Sequence, residues 1–399
     1  MVIPTRRFGR TGYNIPLLSL GGMRFQKSWN ELDIKEIAED DQRIIEKILY
    51  SAVDIGMNHI ETARHYGSSE KQLSLAIRKV KDPNRIIQTK IPPTENPKDF
   101  NRELEMSFEA LDVSKIDLIA IHGINTEKQL EQTLRPGGCL EVAREWKDKG
   151  LIKSIGFSTH APSRLIEKSI SSNQFDFVNL HWYFINQANI NSLALAKKYD
   201  MGVFIISPTD KGGHLHTPSG KLLELCKPIH PIIFNDLFCL RNKFIHTISV
   251  GAAKSEDLSL HLQAIAMIKD AENILPPVEN KLIKAAQEEL GETWLETCQN
   301  GLPSWKDTPG NINIPVLVWL YNLLKAWHMD SFVKSRYQLL GNGGHWFPGE
   351  NSNEIDISVN EFQLLNVMPN SQWGPEIIEI LRHLKKEFGD SEIQSLTNL

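Results

Sequence analysis

Short runs of apolar residues recur along the first two thirds of the chain, and a stretch with helical spacing of apolar residues follows each of them. Runs of this kind predict strands buried on both faces, as in a parallel sheet covered by helices. Eight alternating units favour a closed (β/α)8 barrel, the TIM barrel of the α/β class, over an open sheet. The runs lie at residues 16–23, 58–63, 85–91, 116–123, 152–160, 175–184, 201–208 and 246–253.

The segments between these runs have the pattern of amphipathic helices. In residues 40–56 one helical face collects Ile44, Ile45, Ile48, Leu49, Ala52 and Val53, and Gly56 stands where a C-terminal cap is expected. Residues 97–113 repeat this scheme before the fourth run. No GxGxxG motif opens a predicted helix, which weakens the alternative of an open dinucleotide-binding sheet.

The alternation ends at about residue 275. Residues 279–298, 314–329 and 374–389 then predict helices joined by loops rich in Gly, Pro and Asn. We therefore predict a barrel domain of residues 1–275 and a helical C-terminal domain of residues 276–399.

Composition narrows the class of protein. The chain has 399 residues and a formal net charge of -5 with both signs interspersed, which argues against a nucleic-acid partner. Its four cysteines are widely spaced, as in reduced intracellular proteins. The start lacks the apolar core of a secretion signal, and no apolar run is long enough to span a membrane. We expect a soluble, cytoplasmic protein without membrane contact.

Polar residues at the predicted strand ends suggest a reaction, because catalytic groups of such barrels gather at the carboxyl ends of the strands. Glu61, with Tyr66 shortly after it, ends the second run, Lys90 the third and His122 the fourth. A buried ammonium lowers the pKa of a neighbouring phenol, and a carboxylate keeps the amine charged. The set would let Tyr66 protonate a carbonyl oxygen while a hydride reaches the carbon. Glu61 and Lys90 could alternatively form only a structural ion pair.

Several segments resemble the successive signatures of the aldo-keto reductase superfamily. They are "FGRTGYNIPLLSLGGM", "HIETARHYGSSE", "IIQTKI", "IDLIAIHGIN", "LIKSIGFSTH" and "IISPTDKGGHL", and the resemblance covers roughly residues 5–270. It implies an oxidoreductase that reduces a small-molecule carbonyl with NADP(H), with Tyr66 as the acid beside Lys90 and His122. Glu61 stands where most members have aspartate, which adds one methylene and keeps the charge.

The resemblance also implies a set of cofactor-binding residues. Three positions depart from the family pattern: Thr159 and His261 stand where asparagine is usual, and Asn179 replaces glutamine. Residues 251–262, "GAAKSEDLSLHL", resemble the loop that binds the adenosine phosphate, and His261 stands where asparagine commonly holds the adenine. In this adenosine loop Lys254 and Ser255 suit a 2'-phosphate, since a cation and a hydroxyl bind such a dianion. Ser158 and Asn179 could instead satisfy backbone groups at the barrel rim. The implied set is Gly22, Met23, Ser158, Thr159, Asn179, Ser207, Lys211, Gly251, Lys254 and Ser255.

The C-terminal region resembles that of a subgroup with a ferredoxin-like domain, whose cluster cysteines are spaced CxxCxxCxxxCP. Cys298 and Pro309 match this motif, whereas Gly301, Ser304 and Thr308 occupy the other cysteine positions. One thiolate cannot hold a cluster that needs four. The resemblance therefore implies a degenerate ferredoxin-like domain that serves a structural role or binds a protein partner through its helices.

The sequence leaves two alternatives open. His122, His160 and His181 end nearby strands, an arrangement found among metal ligands, but the first run lacks an HxH pair and no aspartate ends the eighth. We predict no metal, and expect His160 and His181 to line the substrate pocket or stack at its rim. The rival function is a reductase-like barrel that acts as a cofactor-sensing or protein-binding regulatory module. Glu61, the altered adenosine loop and the lost cysteines favour it.

Overall fold

The computed structural model describes residues 2–26, 28–342 and 347–389. Residues 343–346 and 390–399 of the predicted C-terminal domain lie outside these ranges. The chain forms two compact units. The first comprises the residues up to 212 together with 232–272, and the second comprises residues 213–231 together with those from 273 onward.

A closed barrel of eight parallel strands forms the first unit, and it confirms the predicted fold class. Each strand pairs with the next in the chain, and the last pairs with the first through Ile248 and Leu18. An antiparallel hairpin, β1 (Thr5–Arg7) and β2 (Asn14–Pro16), precedes the barrel and was not predicted. The barrel strands are β3 (Leu18–Gly21), β4 (His59–Glu61), β5 (Ile86–Ile91), β6 (Ile116–Ile121), β7 (Ile152–Ser158), β8 (Phe177–Leu180), β9 (Gly202–Ile205) and β10 (Thr247–Gly251).

Helices follow the strands of the barrel, as the apolar spacing predicts. In α1 (Glu39–Asp54) the residues Ile45, Leu49 and Ala52 are buried, but Ile44 is exposed, so its apolar face is narrower than predicted. Gly56 follows α1 in a left-handed conformation, as a C-terminal cap requires. The other helices associated with this unit are α2 (Ser69–Lys79), α3 (Pro97–Leu111), α4 (Glu127–Leu134), α5 (Cys139–Asp148), α6 (Ser163–Ser171), α7 (Ile190–Lys198), α9 (Pro231–Arg241) and α10 (Leu258–Met267).

The barrel interior is apolar at the amino ends of the strands. Phe8 closes this end, and its ring lies so near Gly202 that a Cβ atom there would approach it to 2.8 Å. One layer higher, the His59 Nδ1 atom lies 2.6 Å from the Ser19 hydroxyl, which in turn lies 2.6 Å from that of Thr247. Burial lowers the pKa of His59 to about 3, so its imidazole is neutral. Glu61 follows His59 by two residues, which places it on the same inward face of β4.

The second unit is helical. The predicted segments 279–298, 314–329 and 374–389 correspond to four of its helices, whereas α14 and α15 were not predicted. Its helices are α8 (Gly220–Cys226), α11 (Ala271–Leu290), α12 (Glu292–Thr297), α13 (Ile314–Trp327), α14 (Asp330–Leu339), α15 (Ile357–Asn366) and α16 (Gly374–Phe388). No described helix is both long enough and apolar enough to cross a membrane.

Residues 213–231, which follow the seventh barrel strand, group with the second unit and not with the barrel. The hydroxyl of Ser219 donates to the Trp327 carbonyl at 2.6 Å, and the Lys281 ammonium donates to the Lys227 carbonyl at 2.8 Å. These long-range polar contacts draw the segment toward the C-terminal helices. The division of the sequence at residue 275 did not include it, because contacts so distant in sequence leave no local pattern.

Cys298, the one cysteine that matches the cluster motif, is a buried free thiol. It accepts a hydrogen bond from the side-chain amide of Asn322 at 3.5 Å, and burial raises its pKa. A protonated thiol of this kind packs as a small apolar side chain. The degenerate ferredoxin-like character of the second unit remains a prediction.

Candidate active site

The carboxyl ends of β4 and β5 bring together three of the four predicted catalytic residues. The Lys90 ammonium contacts the carboxylate of Glu61, and its Nζ atom lies 3.2 Å from the hydroxyl oxygen of Tyr66. It also donates to the Thr62 carbonyl at 2.9 Å. Glu61 and Lys90 are buried, and Tyr66 is half-buried in the loop after β4. Glutamate at position 61 therefore reaches the lysine despite its extra methylene.

Two opposing effects set the charge of Lys90. Burial lowers its pKa, but the Glu61 carboxylate and the Tyr66 oxygen more than offset this, and the pKa is raised above its ordinary value. Lys90 is therefore an ammonium at neutral pH. Its positive charge faces the phenol of Tyr66 at hydrogen-bonding distance.

The acidity of Tyr66 differs from the expectation based on sequence. Burial raises its pKa, the Lys90 ammonium acts in the opposite direction, and the Glu61 carboxylate raises the pKa further. The result is a pKa above the ordinary value, whereas the sequence alone suggested a lowered one. Burial and the Glu61 carboxylate together outweigh the effect of the Lys90 ammonium on this pKa. Tyr66 is consequently a protonated phenol at neutral pH, the form that a proton donor needs.

His122, at the end of β6, completes the predicted group. Its ring meets that of Tyr66 edge to face, with the ring centroids 5.8 Å apart and the planes at 83°. Burial, followed by the positive charge of Lys90, lowers the pKa of His122 to about 3. The imidazole is therefore neutral beside Tyr66, and each of its ring nitrogens can take one role, donor or acceptor.

Two further residues touch this group and were not predicted. The Ser249 hydroxyl donates to a Glu61 carboxylate oxygen at 3.4 Å. Ser249 lies two residues before Gly251, so the alternation along β10 could have revealed that it faces inward. The Trp29 ring contacts Tyr66 edge to face with the centroids 6.5 Å apart. Trp29 belongs to an irregular loop, where the sequence has no periodic pattern that could predict its place in the site.

The hydroxyls of Ser158 and Thr159 bind backbone groups at the barrel rim. Ser158 Oγ accepts a hydrogen bond from the Gly123 amide at 3.0 Å. Thr159 Oγ1 donates to the Ile124 carbonyl at 2.8 Å and accepts from the Ala161 amide at 3.0 Å. The Thr159 hydroxyl therefore donates and accepts within this loop, whereas the Ser158 hydroxyl can still donate to a further acceptor.

Asn179 lies beside Ser158 in the register of β7 and β8 and is completely buried. Neither its Oδ1 nor its Nδ2 atom has a hydrogen-bond partner within the described part of the protein. A buried amide without partners carries a substantial free-energy cost. The carboxamide of a nicotinamide offers one donor and one acceptor, which is the complement of this side chain. This residue fits the cofactor that the sequence suggests.

Gly21 at the end of β3 pairs with Glu61 on one side and with Gly251 on the other, and Gly22 and Met23 follow it. A Cβ atom at Gly22 would lie 2.9 Å from the Glu61 carbonyl oxygen, so a side chain there would collide with β4. Met23 is 40% exposed, and the short 3-10 helix Gly22–Arg24 carries it away from the strand. These positions provide a narrow backbone edge near the candidate acid.

Ser207 and Lys211 follow β9. Ser207 adopts a left-handed conformation with φ of 50°, and its carbonyl accepts the Lys211 amide at 2.9 Å. The Lys211 charge is the smallest of the causes that lower the pKa of His122, after burial and the charges of Lys90 and His65. A cofactor contact of Lys211 remains a prediction.

In the predicted adenosine loop, Lys254 is exposed and Ser255 begins the 3-10 helix Ser255–Asp257. His261, near the end of the same segment, lies in α10 and is completely buried, with its Nδ1 atom 2.5 Å from the Asp236 carboxylate. This hydrogen bond joins α10 to α9. His261 therefore has a structural partner at the position where the family resemblance suggested an adenine contact.

His160 and His181 stack on each other, as the sequence suggested for the rim. Their ring centroids are 4.8 Å apart, and the His160 Nδ1 atom lies 2.5 Å from the His181 Nε2 atom. The Nδ1 atom of His181 lies 2.6 Å from the Tyr183 hydroxyl. In the described ranges, no group of three or more His, Cys, Asp or Glu side chains is arranged to hold a metal ion.

The barrel and the residues at its carboxyl end define an α/β-barrel enzyme with a phenol, an ammonium and a neutral imidazole at its mouth. The sequence model of the Aldo/keto reductase family matches residues 17–226, more than half of the chain. The protein belongs to this family, whose members are oxidoreductases that act on carbonyl compounds. A search of curated proteins found no significant match.

Solved structures of the family share the barrel. An aldo-keto reductase from Bacillus halodurans in its holo form is 16% identical and superposes with a TM-score of 0.56, covering 69% of this chain and 97% of that one. An enzyme from Klebsiella pneumoniae in complex with NADPH is 16% identical, with a TM-score of 0.53 and coverage of 69% and 96%. A thermostable aldo-keto reductase bound to the inhibitor epalrestat is 24% identical, with a TM-score of 0.55 and coverage of 68% and 100%. These similarities concern the fold.

Proposed function

We propose that this protein reduces the carbonyl group of an aldehyde or ketone to an alcohol with NADP(H), and that Tyr66 is the proton donor. The observation that carries this proposal is the 3.2 Å separation between the Lys90 Nζ atom and the Tyr66 hydroxyl, next to a buried carboxylate. A phenol held beside an ammonium can release its proton, because the phenolate that remains is stabilised where it forms.

NADPH supplies the hydride when it is bound, and the protein supplies the proton. Tyr66 donates the proton of its hydroxyl to the substrate oxygen as the C=O double bond becomes a single bond. Lys90 stabilises the resulting phenolate, and Glu61 keeps Lys90 charged and directed at Tyr66. The neutral imidazole of His122 orients the carbonyl by donating a hydrogen bond to its oxygen.

The cofactor assignment is supported by the residues around the mouth. The unpartnered amide of Asn179 suits the nicotinamide carboxamide, and the remaining proton of Ser158 can join it. Lys254 is exposed at the start of a short helix, where an ammonium is free to meet a 2'-phosphate. The relative from Klebsiella pneumoniae is described as a complex with NADPH. We propose NADP(H) over NAD(H) on the basis of Lys254.

The proposal is tested with the purified full chain, by following NADPH consumption with a panel of aldehydes and ketones. Tyr66→Phe should lower kcat by about 100-fold to 10,000-fold, the range for loss of a positioned acid, and should leave NADPH binding unchanged. Tyr50→Phe is the matched control, because Tyr50 is exposed on α1 and should retain the parental rate. Equal turnover in Tyr66→Phe and the parent would remove Tyr66 as the acid.

A second candidate is a cofactor-sensing or protein-binding regulatory module. Two residues at positions where the family resemblance suggested cofactor contacts favour it. His261 is hydrogen-bonded to Asp236, and the Thr159 hydroxyl is hydrogen-bonded to the Ile124 carbonyl. Quenching of tryptophan fluorescence by NADPH and NADH separates the candidates. Absence of binding by either cofactor would favour a module, with the C-terminal helices as the proposed partner surface. A cytoplasmic location remains a prediction from the sequence.

A further inference from the structure

Arg64 is a buried cation in the loop that carries Tyr66, and three carboxylates surround it. Its Nη1 atom lies 2.8 Å from Glu70, which is itself buried and accepts the Thr89 hydroxyl at 2.6 Å. This pair fixes Arg64 to α2 and β5. The other two carboxylates are more exposed: Glu103 lies 3.4 Å from Arg64 Nε, and Glu31 contacts Nη2.

Glu31 differs from the other two carboxylates because it lies on a loop with little packing. In residues 28–38, which we call the lid, no side chain is buried. Polar contacts hold the lid to the Tyr66 loop instead: Glu31 pairs with Arg64 and lies 2.9 Å from the Lys71 ammonium, which also donates to the Leu32 carbonyl at 3.1 Å. Segments without buried apolar contacts open at low free-energy cost.

The lid lies directly against the candidate acid. Trp29 is 45% exposed, and its ring meets that of Tyr66 nearly at a right angle, 77°. The lid backbone is close as well, since a Cβ atom at Gly67 would lie only 2.0 Å from the Ser28 carbonyl oxygen. A movement of the lid therefore uncovers one side of the Tyr66 ring.

We propose that Glu31 is a latch that holds the lid closed beside Tyr66 through Arg64 and Lys71, and that its release opens access to the Tyr66 hydroxyl. Release leaves no buried charge unpaired, because Glu70 and Glu103 still neutralise Arg64. Breaking a buried ion pair costs a large free energy when the remaining charge has no other partner. Arg64 thus has a permanent partner in Glu70 and an exchangeable partner in Glu31.

The consequence for catalysis rests on the proposed function. Glu31 is a positioning residue in this scheme, since it touches neither Tyr66 nor the substrate. A closed lid keeps Trp29 over the mouth, where it contacts a bound carbonyl compound, and an open lid loses that contact. Loss of the latch should therefore raise KM more than it changes kcat.

Hydrogen–deuterium exchange of the full chain tests the latch without any assumption about activity. In Glu31→Gln, amides of residues 28–38 should exchange at least fivefold faster than in the parent. Glu103→Gln is the matched control: it removes another carboxylate from the same guanidinium but is not on the lid, and exchange there should stay unchanged. Because Glu31 is partly exposed, added salt should accelerate lid exchange in the parent and have little effect in Glu31→Gln. Parental exchange rates in Glu31→Gln would overturn the proposal.

Steady-state reduction of 4-nitrobenzaldehyde provides the catalytic readout. Glu31→Gln should raise KM at least threefold and keep kcat within twofold, and Glu31→Asp, which retains the charge, should restore part of the parental KM. If the latch acts through Trp29, adding Glu31→Gln to the Trp29→Ala variant should not raise KM further.

The latch and the proposed reductase function can be refuted independently of each other. Faster lid exchange in a protein that reduces no carbonyl supports the latch and removes the reductase function, whereas parental exchange in an active Glu31→Gln protein removes the latch alone.

Discussion

The Nζ atom of Lys90 lies 3.2 Å from the hydroxyl oxygen of Tyr66, and the same ammonium contacts the carboxylate of Glu61. The two partners have opposite effects on the phenol: the ammonium lowers the pKa of Tyr66, and the carboxylate raises it. Burial also raises the pKa of Tyr66, so its hydroxyl is protonated in the resting protein. The ammonium becomes important when the proton leaves, because it stands beside the oxygen that acquires the charge.

We expect the Glu61–Lys90 pair to be important for folding as well as for the proposed reaction. Lys90→Met leaves the Glu61 carboxylate buried without its cation and should cost about 3–5 kcal/mol in the free energy of unfolding. The double variant Glu61→Gln/Lys90→Met should lose much less than the sum of the single changes. Urea unfolding measures both.

An exposed ion pair serves as the control for this prediction. Arg78 pairs with Asp112, and both side chains are about 60% exposed. Arg78→Met should cost less than about 1 kcal/mol, as is usual for surface pairs. A Lys90→Met protein as stable as Arg78→Met would show that the buried pair contributes little.

The neutral state of His122 predicts a specific dependence of stability on pH. Its pKa in the folded protein is about 3, below the ordinary value of 6.5. A lowered pKa stabilises the fold above pH 6.5, and that contribution is lost as the pH falls from 6.5 toward 3. His122→Asn should therefore lose less stability over this interval than the parent.

The measurement combines unfolding at several pH values with NMR of the His122 ring, which should stay in its neutral form down to pH 5. His383→Asn is a suitable control because its side chain lies exposed on α16 and is not among the groups that lower the pKa of His122. It should show the parental pH dependence. Protonation of His122 near pH 6.5 would contradict the assignment of a neutral donor.

Lys254 predicts a preference between the two nicotinamide cofactors. If its ammonium meets the 2'-phosphate, Lys254→Ala should weaken NADPH binding about tenfold, equivalent to about 1.4 kcal/mol, and leave NADH binding nearly unchanged. Lys243→Ala, an exposed lysine before β10, is the matched control for a change in net charge. Equal losses for NADPH and NADH in Lys254→Ala would exclude a specific phosphate contact.

The barrel was predictable because each of its strands is nearly continuous in apolar residues. Strands such as Ile116–Ile121 are buried on both faces, and their sequences show this directly. The positions of Glu61, Lys90 and His122 followed, since all three end strands that converge in a closed barrel. The hairpin Thr5–Arg7 with Asn14–Pro16 was missed because its strands are short and lack such a run.

Other features of the site depend on distances that the sequence does not contain. The raised pKa of Tyr66 reflects its depth of burial, which depends on the whole mouth. The hydroxyl of Thr159 binds the Ile124 carbonyl, a backbone group 35 residues away. The lid that holds Trp29 has no periodic pattern and no buried residue. Sequence patterns report burial, so a segment held by contacts at the surface gives no signal.

Gly67 offers the last test, because it controls how closely the lid approaches Tyr66. Gly67 has a left-handed φ of 51°, and a Cβ atom there would lie 2.0 Å from the Ser28 carbonyl oxygen. Gly67→Ala should therefore displace the lid and accelerate amide exchange in residues 28–38 severalfold. The matched control is Gly137→Ala: Gly137 has a φ of 70°, but its added Cβ would have no neighbour within 4 Å. Both changes carry the backbone cost of about 1–2 kcal/mol for a left-handed residue with a side chain, so only the collision distinguishes them. Equal exchange of the lid in the two variants would mean that Ser28 does not rest on the Tyr66 loop.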